Sequence, residues 1–221
     1  MISDLLPLLK QAFGYSEFRD GQLPVIEAAL QGRDSFVLMP TGGGKSLCYQ
    51  LPALLLPQVT IVVSPLMSLM KDQVDSLKAN GIAAEFVNSS LSREQVLQVF
   101  AQLRRGELKL LYLAPERLLQ PQFIERLLDV GVSLFAIDEA HCISQWGHDF
   151  RPDYMALALI RQRFPAVPVM ALTATADGAT RQDILQQLAL QQAYIHLGSF
   201  DRPNIRYTVQ EKFRPVEQLV S

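Results

Sequence analysis

The chain predicts a doubly wound α/β domain, a mostly parallel sheet with helices on both faces. Short β-branched or aliphatic runs alternate with segments of helical spacing, as in successive βαβ units. The runs at 60–63 and 134–137 show no polar alternation, as expected of strands covered on both sides. A glycine-rich loop joins the first run directly to a helical pattern.

In chain order, an amphipathic segment at 3–13 comes first, then a strand at 36–39 and a helix at 45–55. Strands follow at 60–63, 84–87, 108–113, 132–137, 169–172 and 194–197. The helices between them are expected at 68–79, 92–105, 117–128, 154–163 and 180–188. Residues 200–207 break the alternation and lead into a tail too short to be a domain. The expected organisation is one domain over 1–207 and the beginning of a second over 208–221.

Composition narrows the class. Of 221 residues, 49% are hydrophobic and 19% charged, which excludes a disordered chain. Counts of 12 Gly, 13 Pro and 2 Cys exclude collagenous and disulfide-framework proteins. The net charge of −2 lacks the basic excess that marks many nucleic-acid binders. The first residues carry no basic region before an apolar run, and no apolar stretch is long enough to span a bilayer. Two distant cysteines, Cys48 and Cys142, suit a reducing compartment, so no membrane association and a cytoplasmic location are expected.

Three constellations carry chemistry. Pro40, Thr41, Gly42, Gly43, Gly44, Lys45 and Ser46 stand between a strand and a helix. Glycines let consecutive N–H groups line one concavity, Lys45 brings charge to β- and γ-phosphates, and the Ser46 hydroxyl is placed to ligate Mg²⁺. The general pattern has Gly where this chain has Met39. Asp138 and Glu139 end the apolar strand at 134–137, where ligands of open α/β sheets bind. Asp138 suits the Mg²⁺ shell and Glu139 the polarisation of an attacking water, which makes ATP hydrolysis the simplest reaction for the set. Thr173 and Thr175 follow the strand at 169–172 and have two readings: a sensor of the γ-phosphate or the Asp-Glu pair, or a helix cap before Asp177.

A fourth segment, 143–154, holds the sole tryptophan, Trp146, with His148, Phe150, Arg151 and Tyr154 among turn-forming residues. Aromatic rings and a guanidinium on a loop suit sequence-tolerant stacking of bases, and a loop pinned to the core by Trp146 is the other reading. Zinc is not expected, because Cys142 and His148 offer two ligands where a structural site needs four.

Together, Phe13-Gly14-Tyr15 with Phe18, Arg19 and Gln22, MPTGGGKSLCYQ at 39–50, DEAHCISQWGHDFRP at 138–152 and TATA at 173–176 resemble the RecQ family of superfamily 2 DNA helicases. The family's usual loop has Met at the position of Met39. The resemblance runs over nearly the whole chain and implies the first RecA-like P-loop NTPase lobe of an ATP-dependent 3′→5′ DNA helicase acting in recombination and repair. By residue type alone Tyr15 reads as a core aromatic; by resemblance it stacks on adenine, whose edge Arg19 and Gln22 read. The resemblance also implies that Ser64-Pro65-Leu66 to Gln73 and the segment 114–117, with Arg117, line the DNA track through amides and hydroxyls. It gives His141, Thr173 and Thr175 a role in coupling nucleotide state to DNA, and the Trp146–Arg151 loop a role in linking DNA binding to hydrolysis. Such a grip needs only a local cationic track, which reconciles the net charge with a DNA partner.

The same resemblance implies ATP and Mg²⁺ as ligands, single-stranded and duplex DNA as partners, and a location at the nucleoid. It places the arginine finger in a second RecA-like lobe; Arg202, Arg206 and Arg214 match no motif for it. A zinc-binding region and any docking region for single-stranded-DNA-binding protein are also expected elsewhere. A fragment that holds nucleotide or DNA without catalysing turnover is the competing expectation.

Overall fold

The computed structural model describes residues 2–146 and 149–199. Its centre is a seven-stranded sheet in the order β3 (Ala84–Val87), β4 (Leu110–Leu113), β2 (Val59–Val63), β5 (Val132–Ile137), β6 (Val169–Thr173), β1 (Ser35–Leu38), β7 (Tyr194–Leu197). Every described pairing is parallel. β1, β2, β4 and β6 are buried along their whole length, whereas the edge strand β7 alternates, as a strand half open to solvent must.

Side-chain alternation sorts the strands into two cores. Phe36, Ile61, Leu111, Phe135 and Ala171 face one side, covered by α5 (Arg93–Arg104), α7 (Pro121–Val130), α9 (Ala158–Arg163) and α10 (Gly178–Gln187). Val37, Val62, Tyr112, Ala136 and Leu172 face the other, under α2 (Gln22–Leu30), α3 (Leu47–Leu55) and α4 (Met67–Ala79). A smaller cluster of Leu5, Leu9, Ile26, Leu47 and Leu51 fastens α1 (Ile2–Phe13) onto α2 and α3.

All seven expected strands form, within one or two residues of their sequence limits. The helices differ in three places. The expected helix at 117–128 is broken into α6 (Pro115–Leu118) and α7, because Pro121 cannot donate and instead opens a new helix at its first position. The one at 154–163 divides into α8 (Pro152–Met155) and α9, so the end of the presumed aromatic loop is helical. Helix α2 went unpredicted: with Val25, Ile26, Ala28 and Ala29 all buried between α1, α3 and the sheet, it shows no polar stripe to give a 3.6-residue signal. Elsewhere the local chemistry matches the pattern; Ser92 and Gln95 form a reciprocal capping box at the start of α5. The boundary expected at 207/208 and the tail lie outside the described residues. Among the described residues, no helix is long and apolar enough to cross a membrane.

Asp34, just before β1, ties the sheet to its cover. Its Oδ1 accepts from the Val169 N–H at 2.8 Å and pairs with Arg161 at 2.8 Å. Replacing Asp34 with Ala strands both donors, so urea unfolding of Asp34→Ala is expected to show a loss of about 2 kcal/mol. An unchanged midpoint would remove Asp34 from the account of stability.

Candidate nucleotide and DNA site

The motifs gather at the carboxyl edge of the sheet, where β1 and β5 flank β6. Met39 is buried at the end of β1, its N–H held by the Thr173 carbonyl at 3.1 Å, so an apolar side chain anchors the loop's first residue in the core. The loop then turns back, with the Gly43 N–H donating to Pro40 O at 2.9 Å and Gly42 and Gly44 at φ 79° and 81°. Gly44 is required twice: its φ is left-handed, and a Cβ there would meet Gln22 Nε2 at 2.3 Å. Lys45 folds into the loop and donates to Met39 O at 3.1 Å. Thr41 and Gly42 face solvent, and the Ser46 side chain is hydrogen-bonded to Tyr49.

The segment before α2 clamps this loop. Gln22 is buried, accepts from the Arg19 N–H at 2.8 Å and donates to Gly44 O at 3.1 Å. The Arg19 guanidinium donates to Gly42 O. Tyr15, at 54% exposed, is no core residue; it lines a cleft of about 260 Å³ with Phe13, Arg19, Gln22 and Ser46. The residues expected around adenine are therefore contiguous with the loop, and two of them already bond to its carbonyls.

Asp138 emerges from β5, its N–H held by Val63 O at 2.9 Å and its carbonyl accepting from the Tyr154 hydroxyl at 3.1 Å. Burial, and then the Glu139 charge, push its carboxyl up to about 6, against smaller opposing effects that include Lys45 and His141. Glu139 sits at φ 48°, ψ 45°, a left-handed conformation that costs a non-glycine residue about 1–3 kcal/mol and tends to persist at functional sites. That backbone turn lifts the chain into a 3-10 turn, Ala140–Ile143, and brings His141 Nδ1 within 3.3 Å of Glu139 Oε2 and 3.0 Å of Thr173 Oγ1. The Thr173 hydroxyl donates to Thr175 O at 3.0 Å, while the cap of α10 is Asp177, whose side chain accepts from Thr180 N. Thr173 thus contacts His141, on the turn after the Asp-Glu pair, and the cap of α10 is neither threonine but Asp177.

The expected DNA-facing residues divide. Trp146 is 78% exposed, which excludes the reading in which it pins its loop to the core. Phe150 is half-buried, and Arg151 donates to Pro65 O at 3.2 Å and pairs with Asp149 at 3.1 Å, joining this loop to the segment after β2. Tyr154 is fully buried and serves Asp138 rather than a base. Arg117 is half-buried and donates to Gln120. Ser64 is buried at the end of β2, with its hydroxyl off the surface. His148 lies outside the described residues.

One functional connection had no sequence signal. Ser46 is hydrogen-bonded to Tyr49 and Tyr49 to Tyr112; Gln50 Nε2 donates to the Tyr112 hydroxyl at 3.0 Å and to Gln73 Oε1 at 2.8 Å. This buried chain runs from the phosphate loop to α4. Its members read singly as core tyrosines and ordinary amides, and only the folded contact reveals them.

A family model described as DEAD/DEAH box helicase matches residues 19–184. The chain is 58% identical over 214 residues to the ATP-dependent DNA helicase RecQ of Haemophilus influenzae, covering 97% of this chain and 35% of that protein. It is 49% identical over 226 residues to the probable ATP-dependent DNA helicase RecS of Bacillus subtilis, covering 99% of this chain and 45% of that protein. The chain thus spans less than half the length of these relatives. Among solved structures, a hypothetical ATP-dependent RNA helicase from Sulfolobus tokodaii superposes with a TM-score of 0.67 at 20% identity, over 88% of this chain and 57% of that one. The Hef helicase domain of Pyrococcus furiosus gives 0.60 at 19% identity, over 84% and 39%. These structural matches bear out the RecA-like helicase fold, and the sequence matches bear out the resemblance carried by the motifs.

The raised Asp138 pKa has a stability consequence. An acid that binds its proton more tightly when folded makes the fold lose stability as pH rises from 3.8 through about 6. In Mg²⁺-free buffer at neutral pH, Asp138→Asn is expected to be more stable than the parent, by up to roughly 3 kcal/mol. The difference should shrink as pH falls through about 6 and vanish near 3.8. Thermal melts across that range check it, and equal stability at neutral pH would contradict it.

Proposed function

Because this chain belongs to the DEAD/DEAH box helicase family, we propose that it is the ATP- and single-strand-binding first motor lobe of an ATP-dependent 3′→5′ DNA helicase. The observation that carries the reading is the convergence of Lys45, Asp138, Glu139 and His141 at one edge of the sheet, beside an exposed aromatic loop. The 58% identity to a protein named ATP-dependent DNA helicase RecQ supports DNA as the track, and the motif resemblance supports recombination and repair as the setting.

On this reading, Lys45 exchanges the loop carbonyls it now holds for the β- and γ-phosphates, and the loop amides cradle the same oxygens. Tyr15 stacks on adenine. Arg19 and Gln22 read the base edge from positions already bonded to Gly42 and Gly44, so occupancy of the base pocket is felt by the phosphate loop. Asp138 fits a cation, since its buried carboxyl beside Glu139 has too little positive charge nearby to hold it at an ordinary pKa. Ser46 and Asp138 would hold Mg²⁺, which when bound neutralises phosphate charge. Glu139 accepts the proton of the attacking water, and the His141–Thr173 contact relays the state of that carboxylate toward the Trp146 loop. Trp146, Phe150 and Arg151 stack on bases; Arg117 reaches the backbone from its half-exposed position, and Ser64, now buried, is assigned there by the motif resemblance. By the motif resemblance, His148 is assigned the same DNA-binding role. We place residues 208–221 at the start of a second lobe, the whole protein at the nucleoid in the cytoplasm, and a single-stranded-DNA-binding protein among its partners through other regions.

Catalysis by this chain alone is a separate matter. Among the described residues lining the nucleotide cleft, the one arginine is Arg19, which sits on the loop's carbonyl side rather than opposite Lys45. Lys45 and Mg²⁺ meet the γ-phosphate, but the further charge that develops there in the transition state lacks an arginine finger, a loss of about 10³–10⁵ in rate. The reading as a non-catalytic binding unit therefore applies to the isolated chain. Fluorescent-nucleotide titration with Mg²⁺ is expected to show binding that Lys45→Ala weakens at least about tenfold, with slow turnover with or without single-stranded DNA. Absence of nucleotide binding would sink the proposal. Fast DNA-stimulated turnover lost in Lys45→Ala would overturn the assignment of the isolated chain as non-catalytic.

A further inference from the structure

Beyond the nucleotide site, the fold assembles a second set of cation-ligating atoms. A ring nitrogen of His141, Cys142 Sγ and a carboxylate oxygen of Asp149 all lie within 4.8 Å of one another. Cys142 Sγ is 3.8 Å from His141 Nε2 and 3.7 Å from Asp149 Oδ2. Zinc bonds of about 2.3 Å to sulfur and about 2.0–2.1 Å to nitrogen or oxygen, at tetrahedral angles, require separations of about 3.6 Å between sulfur and its neighbours. The two sulfur distances are thus close to what one ion demands, and the exposed Asp149 side chain closes the remaining gap by exchanging its Arg151 pairing for the ion.

The imidazole is also oriented for ligation. The Thr173 hydroxyl proton is used on Thr175 O, so His141 Nδ1 acts as donor toward Thr173 Oγ1 and Glu139 Oε2. In neutral histidine this puts the lone pair on Nε2, the nitrogen that faces the thiol. A ring nitrogen held by a carboxylate with the other turned to the ion is the usual arrangement behind metal-bound histidine. Sequence arithmetic counted Cys142 with His148; folding supplies His141 and Asp149 as well.

We propose that His141, Cys142 and Asp149 form a binding site for one thiophilic divalent cation of the Zn²⁺ class, distinct from the Mg²⁺ expected at Ser46 and Asp138. Binding releases the Cys142 thiol proton to solvent and forms one sulfur–metal bond, with a nitrogen and an oxygen donor completing a three-ligand site that leaves one position for water. The ion fastens Asp149, on the aromatic loop, to the turn that follows Glu139. Asp149 gives up its pairing with Arg151 in doing so.

Co²⁺ is the probe. Titrated into the full 221-residue chain without nucleotide, it is expected to raise a thiolate-to-metal charge-transfer band that saturates at one ion per chain. Quenching of the sole tryptophan, Trp146, should follow the same curve. Cys142→Ser should lose the band and Cys48→Ser should keep it. Asp149→Asn, at a surface position that leaves the core untouched, should weaken Co²⁺ binding about tenfold or more. No thiolate band, a band surviving Cys142→Ser, or unchanged affinity in Asp149→Asn would each overturn the site.

Discussion

A carboxylate must stand charged at the end of a strand that both faces of the domain have dried. β5 lies between β2 and β6, and its residues from Leu134 to Ile137 are shut from solvent on both sides. Asp138 is the next residue, and burial pushes its carboxyl up to about 6 even with Lys45 near. The protein's own side chains therefore leave this carboxylate short of positive charge. A nucleotide with its cation relieves that shortage, whereas the phosphate loop alone, holding Lys45 on its own carbonyls, does not. The strained backbone at Glu139 belongs to the same design, since it turns the second carboxylate out of the sheet and toward His141.

Contacts leave this point in two directions. One passes from Glu139 and Thr173 through His141 to the turn that begins the aromatic loop, which Tyr154 braces from beneath at the Asp138 carbonyl. The other leaves the phosphate loop at Ser46 and crosses Tyr49, Tyr112 and Gln50 to Gln73 on α4. Arg151 closes the circuit by holding Pro65 at the end of β2. A change at the phosphates has a bonded path to both surfaces expected to meet DNA.

The sheet was legible in the sequence because its interior strands are short β-branched or aliphatic runs cut off by turns, the pattern of strands covered on both faces. The phosphate loop and the Asp-Glu pair were legible because their chemistry is local: adjacent residues at the end of one strand. What escaped was what packing decides. Helix α2 has no polar stripe because it is enclosed; Pro121 divides a pattern that reads as continuous; Tyr154 reads as one more loop aromatic until its hydroxyl is found on Asp138. Exposure behaved likewise, as Trp146 has the side chain of a core anchor and sits almost free in solvent, while Ser64, expected at the DNA backbone, is buried.

At the heart of the site lies an electrostatic shortage, a carboxylate that the surrounding side chains under-compensate. It is tested most directly by following the carboxyl carbon resonance of Asp138 with pH in the Mg²⁺-free chain, assigned by its absence in Asp138→Asn. A titration midpoint near 6 that moves sharply down when Mg²⁺ and nucleotide are added is expected. A midpoint at the ordinary 3.8 in the empty chain, unmoved by ligand, would contradict it.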